Sequence, residues 1–259
     1  MGMFKLAPLI MRCALCLNDR DLCDSHIYPK FTYRRMKEQG EGSFRVFSTS
    51  GGKSEGEILQ DGFKEKLLCK ECEARFQKWE DYFARIVRQK KLLDFKRPSD
   101  GKKWVRVDGL DYAKMKLFLL SILWRTQVSK NPRFNPRLGD KHEQRLREML
   151  LNCDPGCFEE YGCVVTVPFV ELAAGESEEM RPPVTVTPSN VRRKDGLRVV
   201  PMQIDGVLFQ YVVGALDVVK RSVFCRVFLK PNGELIVGVE ELTKIDFLRD
   251  AWGRTLGFT

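Results

Sequence analysis

Leu67-Leu-Cys-Lys-Glu-Cys-Glu-Ala-Arg-Phe-Gln-Lys-Trp-Glu80 is the stretch around which this 259-residue chain is organised. It opens on two leucines and carries Cys69 and Cys72 in a C-x2-C motif. Apolar residues then follow at helical spacing: Phe76, Trp79 and Phe83. The pattern predicts a strand over 65–68 that turns at Cys69 into an amphipathic helix running to about Leu93.

Another C-x2-C motif, Cys13 and Cys16, lies nearer the N-terminus, and 52 residues separate this first pair from the second, Cys69 and Cys72. Two such pairs supply the four thiolates that Zn²⁺ takes in a closed structural site. A strand-to-helix turn at Cys69 places helix N–H groups near the thiolates, which stabilises their charge. Four unrelated cysteines are the alternative, and the repeated spacing disfavours it. The sequence therefore predicts Cys13, Cys16, Cys69 and Cys72 as ligands of a structural zinc ion.

The composition indicates a globular protein of the cytoplasm. Hydrophobic residues make up 43% of the chain and charged residues 31%, and the nine cysteines are an odd number, which favours metal binding over a disulfide framework. No apolar run approaches the ~20 residues of a membrane span. The first ten residues make a poor signal peptide, because their apolar run is short and leads straight into Arg12.

The charge of +9 is unevenly distributed. Residues 1–150 contain 32 Lys and Arg against 20 Asp and Glu, whereas residues 151–259 contain 12 against 15. An excess of positive charge on one half is the electrostatic footprint of a nucleic-acid-binding face. The alternative is a solvated surface that aids solubility. Nucleic acid, with DNA as the first choice over RNA, is the expected partner.

The order of elements predicts an α+β fold with three regions. A zinc-bound domain covers 1–97, a helical connector 98–155, and an antiparallel β-rich domain 156–259. Within the connector, 104–107 can form a strand, Asp111 is expected to cap a helix to about Ser129, and Asp140 to cap another through Leu151. Asp205-Gly206 and Asn232-Gly233 read as hairpin turns. The predicted C-terminal strands are 161–172, 184–187, 197–204, 207–213, 223–229 and 235–239.

The treble-clef pattern consists of a cysteine knuckle, a β-hairpin and a helix that begins at a second knuckle. Four segments carry a closer likeness: Cys13-x2-Cys16, Ser25-His26-Ile-Tyr-Pro-Lys30, Gln60-Asp-Gly62 and Leu67-Leu-Cys-x2-Cys-Glu73. Together they resemble the HNH (ββα-metal) endonucleases with a zinc-clamped core, in particular uncharacterised bacterial HNH-like proteins. The resemblance covers roughly residues 11–85.

The resemblance implies roles for individual residues. The first histidine of the family is a general base that activates water against a phosphodiester, and that position matches His26. Glu73, near the helix start, stands where the family has its last His or Asn. A carboxylate there, with Asp61 or Asp24, would hold Mg²⁺ or Mn²⁺. The chain has Ser25 where the family usually has a metal-binding Asp, and no Asn near Lys64.

The leading hypothesis is therefore a metal-dependent nuclease with His26 as base and Glu73 and Asp61 beside it. One alternative is a catalytically inactive, zinc-stabilised nucleic-acid-binding or regulatory protein, and another is a protein-interaction module. In both, His26 is a hydrogen-bonded structural residue. The other histidine, His142, is expected at the surface. Further cysteines form either a second zinc site or buried free thiols: Cys153, Cys157 and Cys163.

Overall fold

The computed structural model describes residues 11–39, 42, 44–46, 57–89, 104–134, 136–169, 192–194, 197–241 and 244–245. The predicted strand at 184–187, the boundary at 97/98 and the predicted helix end near Leu93 lie outside these residues. Within them the fold contains both helices and sheets, as the α+β prediction requires. No helix in these ranges is both long enough and apolar enough to cross a membrane.

Helices and strands alternate along the chain. The helices are α1 (Arg34–Gln39), α2 (Lys70–Arg88), α3 (Tyr112–Val128), α4 (Asp140–Asn152) and α5 (Val218–Phe224), and a 3₁₀ turn at Lys30–Tyr33 precedes α1. The first strands are β1 (Met11–Arg12), β2 (Asp19–Arg20), β3 (Leu22–His26), β4 (Phe44–Val46), β5 (Glu57–Leu59) and β6 (Lys64–Cys69). The later strands are β7 (Trp104–Val107), β8 (Cys163–Phe169), β9 (Arg192–Lys194), β10 (Leu197–Ile204), β11 (Val207–Val213) and β12 (Leu235–Glu241).

The N-terminal strands form small antiparallel pairs. β1 pairs with β2, β3 with β6, and β4 with β5. α2 starts immediately after β6, with Cys69 as its N-cap residue. Its apolar positions Phe76, Trp79 and Phe83 are all buried, as their spacing predicts. The two-stranded β3–β6 sheet and α2 are thus joined at the second cysteine motif.

α3 is the central helix of the protein. Asp111 caps it as predicted, because its side chain accepts a 3.0 Å hydrogen bond from the amide of Lys114. The ring of Phe118 stacks on that of Phe83 in α2, with 4.0 Å between centroids. On another side, the hydroxyl of Tyr211 in β11 donates to the carbonyl of Leu119. α3 therefore packs against both the N-terminal elements and the C-terminal sheet.

Helix α4 begins differently from the prediction. Asp140 is its first residue, and the N-cap is Gly139, which has a φ of 91° and supplies no capping side chain. The carbonyl of Gly139 accepts from the amides of His142 and Glu143. Asp140 still favours the helix through its negative charge at the N-terminus, because the helix dipole is positive there.

The C-terminal strands form one six-stranded sheet in the order β7-β12-β8-β11-β10-β9. The Asp205-Gly206 turn joins β10 and β11 as predicted, with Asp205 and Gly206 at φ 49° and 77°. β7 lies at the sheet edge beside β12, so a strand from the predicted connector pairs with one from the predicted β-rich domain. The division into three domains stays a prediction.

Two details of the predicted β region are wrong. β12 pairs with β8 in parallel, so the sheet is mixed rather than antiparallel. The chain leaves β11 and crosses to the far side of β8 through α5, and such a crossover allows a parallel strand where a hairpin does not. The predicted strand at 223–229 is instead the end of α5 and the turns after it, because Asp217 caps this helix by accepting from the amide of Lys220.

Candidate metal centre

The ligand atoms of the four predicted cysteines all lie within 4.8 Å of one another. Cys13 and Cys16 sit in the loop between β1 and β2, whereas Cys69 and Cys72 sit at the start of α2. Sulfurs placed tetrahedrally at 2.3 Å from a zinc ion lie roughly 3.8 Å apart, and the Cys16 and Cys69 sulfurs are 3.9 Å apart. The arrangement thus confirms the predicted cluster and fits a tetrahedral metal ion.

Backbone hydrogen bonds fix the first cysteine pair against the second. The amide of Cys13 donates to the carbonyl of Asn18, and the amide of Leu17 donates to the carbonyl of Cys13. These two hydrogen bonds close the loop. Leu17 adopts a left-handed conformation at φ 61° to complete the turn. The amide of Ala14 then donates to the carbonyl of Leu67, and that of Cys69 to the Cys13 sulfur at 3.3 Å.

Repulsion between the four closely spaced cysteine sulfurs, once they are ionised, favours a bound cation. Burial raises the pKa of the Cys69 thiol to about 11, and burial together with the neighbouring sulfurs raises that of Cys72 well above its ordinary value. Several thiolates this close together repel one another in a poorly solvated site. A bound divalent cation removes the repulsion and leaves the thiolates as its ligands.

His26 and Asp61 come together at the opposite end of the β3–β6 pair. Nε2 of His26 lies 3.3 Å from Oδ1 of Asp61, which also accepts from the amide of Gly62. Lys64 donates to the other carboxylate oxygen, and Lys37 from α1 lies 3.9 Å from the carboxylate. The structure thus brings together two of the three residues that the sequence analysis predicted as catalytic, and their catalytic role stays a prediction.

Both members of this pair have shifted pKa values. The hydrogen bond from Lys64 is the main reason that the pKa of Asp61 falls well below its usual range. Burial lowers the pKa of His26, although Asp61 opposes that shift. The imidazole, with 17% of its side chain exposed, is therefore neutral at physiological pH. Because the Asp61 carboxylate only accepts hydrogen bonds, the ring proton sits on Nε2 and Nδ1 keeps its lone pair.

Glu73, the third predicted catalytic residue, has a different partner. Its carboxylate accepts a 2.9 Å hydrogen bond from the buried hydroxyl of Ser25, which itself accepts from the amide of Leu68. Ser25 and His26 are consecutive on β3, so their side chains leave opposite faces of the strand. Asp24, the other proposed carboxylate, forms an exposed ion pair with Lys66 at 3.2 Å. A catalytic role for Glu73 stays a prediction.

Arg125 contacts the candidate site at His26, and the sequence reasoning missed it. It lies in α3, has 1% of its side chain exposed, and donates from Nη1 to the backbone carbonyl of His26 at 2.8 Å. Its Nη2 is 2.7 Å from the carboxylate of Glu80 in α2. The signal was present in the sequence, because Arg125 is a charged residue that directly follows an almost wholly apolar run in α3.

The remaining predicted residues have ordinary surroundings. His142 lies 3.0 Å from the hydroxyl of Tyr161 and 3.4 Å from Arg198. Cys153 and Cys157 are exposed, and Cys163 is a buried thiol whose pKa burial raises to about 12. Across the part of the chain that the structure describes, one group of three or more His, Cys, Asp and Glu side chains is close enough to hold a metal, namely Cys13, Cys16, Cys69 and Cys72.

Comparisons of the chain with protein-family models, with curated proteins and with solved structures give no match.

Proposed function

We propose that this protein is an HNH-like nuclease, in which a zinc-clamped treble clef carries a phosphodiester-hydrolysing site at His26. The observation that carries the proposal is the contact between His26 and Asp61 beside two lysines, at the end of the β3–β6 pair that lies opposite the cysteine cluster. The order of elements supports it: a cysteine loop, the paired strands β3 and β6, and a helix that opens on the second cysteine pair.

Zinc is the proposed metal because the donor set consists of four cysteine sulfurs. Soft thiolates in a tetrahedral S₄ arrangement select Zn²⁺ or iron–sulfur chemistry over Mg²⁺ or Ca²⁺. A site with four protein ligands keeps no open position for water or substrate. Zinc at Cys13, Cys16, Cys69 and Cys72 would therefore stabilise the fold and take no part in the reaction.

His26 is the proposed general base. Asp61 holds Nε2–H, so Nδ1 can take a proton from a water molecule as the water oxygen attacks the phosphorus. The bond from phosphorus to the leaving sugar oxygen breaks, and that oxygen gains a proton from solvent. A base that is neutral at working pH and oriented by a carboxylate is the arrangement that this step needs.

The lysines beside Asp61 are the proposed phosphate ligands. Lys64 and Lys37 approach the carboxylate of Asp61 from β6 and α1, and their ammonium groups would hold the negative charge of a phosphodiester. A Mg²⁺ or Mn²⁺ ion would stabilise the charge on the phosphate and the leaving oxygen. Asp61 would be one ligand of such an ion, since Mg²⁺ commonly binds through one or two carboxylates together with substrate phosphates.

Cleavage assays test this proposal. Wild type, Asp61→Asn and Lys64→Gln are incubated with plasmid DNA, linear DNA and RNA, each with Mg²⁺, Mn²⁺ or EDTA. Divalent-dependent cleavage that both substitutions weaken is the expected result, because one removes the orienting charge and the other a phosphate ligand. Arg226→Gln, an exposed charge in the C-terminal region, is the matched control and should cleave as wild type does. Cleavage unaffected by Asp61→Asn would contradict the assignment.

A second candidate function is nucleic-acid binding without turnover. One observation favours it: the hydrogen bond between Ser25 and Glu73 occupies the carboxylate that the resemblance assigns to the catalytic ion. Such a protein would bind nucleic acid with strong salt dependence, because its affinity would come from phosphate contacts. Binding that weakens steeply between 50 and 200 mM salt, with no cleavage under any metal condition, would select this candidate.

A further inference from the structure

The face of the β3–β6 pair that carries His26 also carries two lysines. In the register of the pair, His26 lies opposite Lys64 and Asp24 lies opposite Lys66. Alternate residues of a strand project from the same face of a sheet, so all four side chains lie on one face. The exposed fraction of the side chain is 38% for Lys64, 52% for Lys66 and 65% for Asp24. Both lysines are therefore accessible from solvent on the face of the proposed base.

The opposite face of this strand pair packs against the rest of the protein. Ser25 on β3 is buried and donates to a carboxylate in α2. Glu65 on β6 accepts from two backbone amides of the segment that follows α3. A substrate bound at His26 therefore lies on the face that carries the two lysines.

The ion pair of Lys66 is one that a phosphate can replace. The ammonium group lies 3.2 Å from the carboxylate of Asp24 and donates to the backbone carbonyl of Leu22, also at 3.2 Å. Ion pairs between side chains this exposed contribute little to stability, because water screens both charges. A phosphate oxygen can take the place of the Asp24 carboxylate, while the carbonyl of Leu22 keeps the ammonium group beside the sheet.

The spacing of the two lysines suits phosphates of one strand. Residues i and i+2 of a β-strand are about 7 Å apart, and one nucleic-acid strand advances roughly 3.4 Å per phosphate along the axis of a duplex. Lys66 can therefore contact a phosphate about two nucleotides from the one beside Lys64. Because β6 runs from Lys64 to Cys69, this second phosphate lies on the side of the cysteine cluster.

We infer that Lys66 is a second phosphate ligand, that the nucleic-acid backbone runs along β6 from His26 towards the cysteine cluster, and that Asp24 competes with the phosphate for Lys66. The inference rests on the proposed function and adds the course of the substrate backbone. A phosphate contact carries no sequence information, so Lys66 fixes where the strand lies and selects no base. Asp24 then weakens binding, in contrast to the alternative in which it is a ligand of the divalent ion.

Salt-dependent binding of a short fluorescent DNA duplex tests the inference in the His26→Ala background, where the proposed base is absent. Each phosphate contact contributes about 0.9 to the slope of log affinity against log salt. Lys66→Gln should therefore bind more weakly, and between 50 and 200 mM salt its affinity should fall by a factor about 3.5-fold smaller than that of the parent. Lys220→Gln removes another lysine that pairs with an exposed aspartate, in α5, and should keep the parent slope.

A second variant tests the role of Asp24. Asp24→Asn releases Lys66 and should bind the duplex several-fold more tightly than the parent, and this gain should shrink in the Lys66→Gln background. In the otherwise wild-type protein, Asp24→Asn should cleave at least as fast as wild type with Mg²⁺. A ligand of the divalent ion would behave in the opposite way, because its removal slows cleavage.

Two results would overturn the inference. A salt slope of Lys66→Gln equal to that of the parent or of Lys220→Gln would show that no phosphate lies at Lys66. Weaker binding or slower cleavage by Asp24→Asn would show that its carboxylate assists the substrate. The proposed function fails separately, through cleavage that does not depend on His26. Cleavage that is lost in His26→Ala, together with an unchanged slope in Lys66→Gln, would remove the second phosphate ligand and keep the nuclease.

Discussion

The guanidinium of Arg125 donates a 2.8 Å hydrogen bond to the backbone carbonyl of His26, a residue 99 positions earlier in the chain. The same guanidinium pairs with Glu80 and lies over the ring of Phe76, both in α2. One buried side chain therefore joins β3, α2 and α3 at the point where the proposed base is attached. This contact therefore fixes the backbone at His26 relative to α2 and α3.

Replacing Arg125 should destabilise the protein strongly. Arg125→Met removes the partner of Glu80, whose side chain is 13% exposed, and breaking such a buried pair costs about 3–5 kcal/mol. Urea unfolding measures the loss, and Arg34→Met, which breaks an exposed pair with Glu38, is the control with a much smaller effect. The double variant Arg125→Met with Glu80→Gln should lose less than the two single variants together. Strict additivity would contradict the coupling.

The metal centre gives a second prediction. Purified wild type should contain one zinc ion per chain, and Cys72→Ser should lose it together with several kcal/mol of stability, since metal binding of this kind is coupled to folding. Elemental analysis and thermal unfolding measure both effects. Cys153→Ser, which changes an exposed thiol outside the cluster, should keep the metal and the stability. Full metal content in Cys72→Ser would refute the ligand assignment.

Stability should rise as pH increases from 5 to 7. Burial lowers the pKa of both histidines, so near their unfolded pKa, about 6.5, the unfolded chain binds more protons than the folded one. The contribution of the two neutral histidines to the free energy of unfolding is therefore complete above pH 6.5. It is lost as the pH falls from 6.5 through their lower pKa values in the folded protein. His26→Gln and His142→Gln should each flatten part of the slope in urea unfolding. A slope that neither substitution changes would contradict the two shifts.

Close packing against Tyr33 requires a glycine at position 62, next to Asp61. A Cβ atom at this position would lie 2.1 Å from the ring of Tyr33, which is buried and cannot move aside. Gly62→Ala should therefore cost about 1–3 kcal/mol and displace Asp61, because the Gly62 amide donates to its carboxylate. Thermal unfolding measures the first effect and cleavage rate the second. Gln60→Ala, at an exposed position of the same turn, should change neither.

The sequence predicted most reliably those structural features that depend on residues close together in the chain. Two C-x2-C motifs and one amphipathic helix are short-range patterns, and the Asp205-Gly206 turn needs only two residues with positive φ. The parallel pairing of β8 with β12 depends on a crossover, which no local pattern reveals. The start of the predicted strand 223–229 is instead the end of helix α5. Capping by Asp217 stabilises this helix more than its β-branched valines disfavour it. Arg125 was missed because its partners lie in α2 and β3, far away in sequence.

The most direct test of the account is the single-turnover cleavage rate of His26→Ala relative to wild type, at pH 7.5, with Mg²⁺ or Mn²⁺ and with equal zinc content in both proteins. A general base contributes about 10²–10⁴-fold, so the variant should cleave slower by that factor while its zinc and its fold are retained. Cleavage by His26→Ala at the wild-type rate would contradict the assignment of His26 as the base.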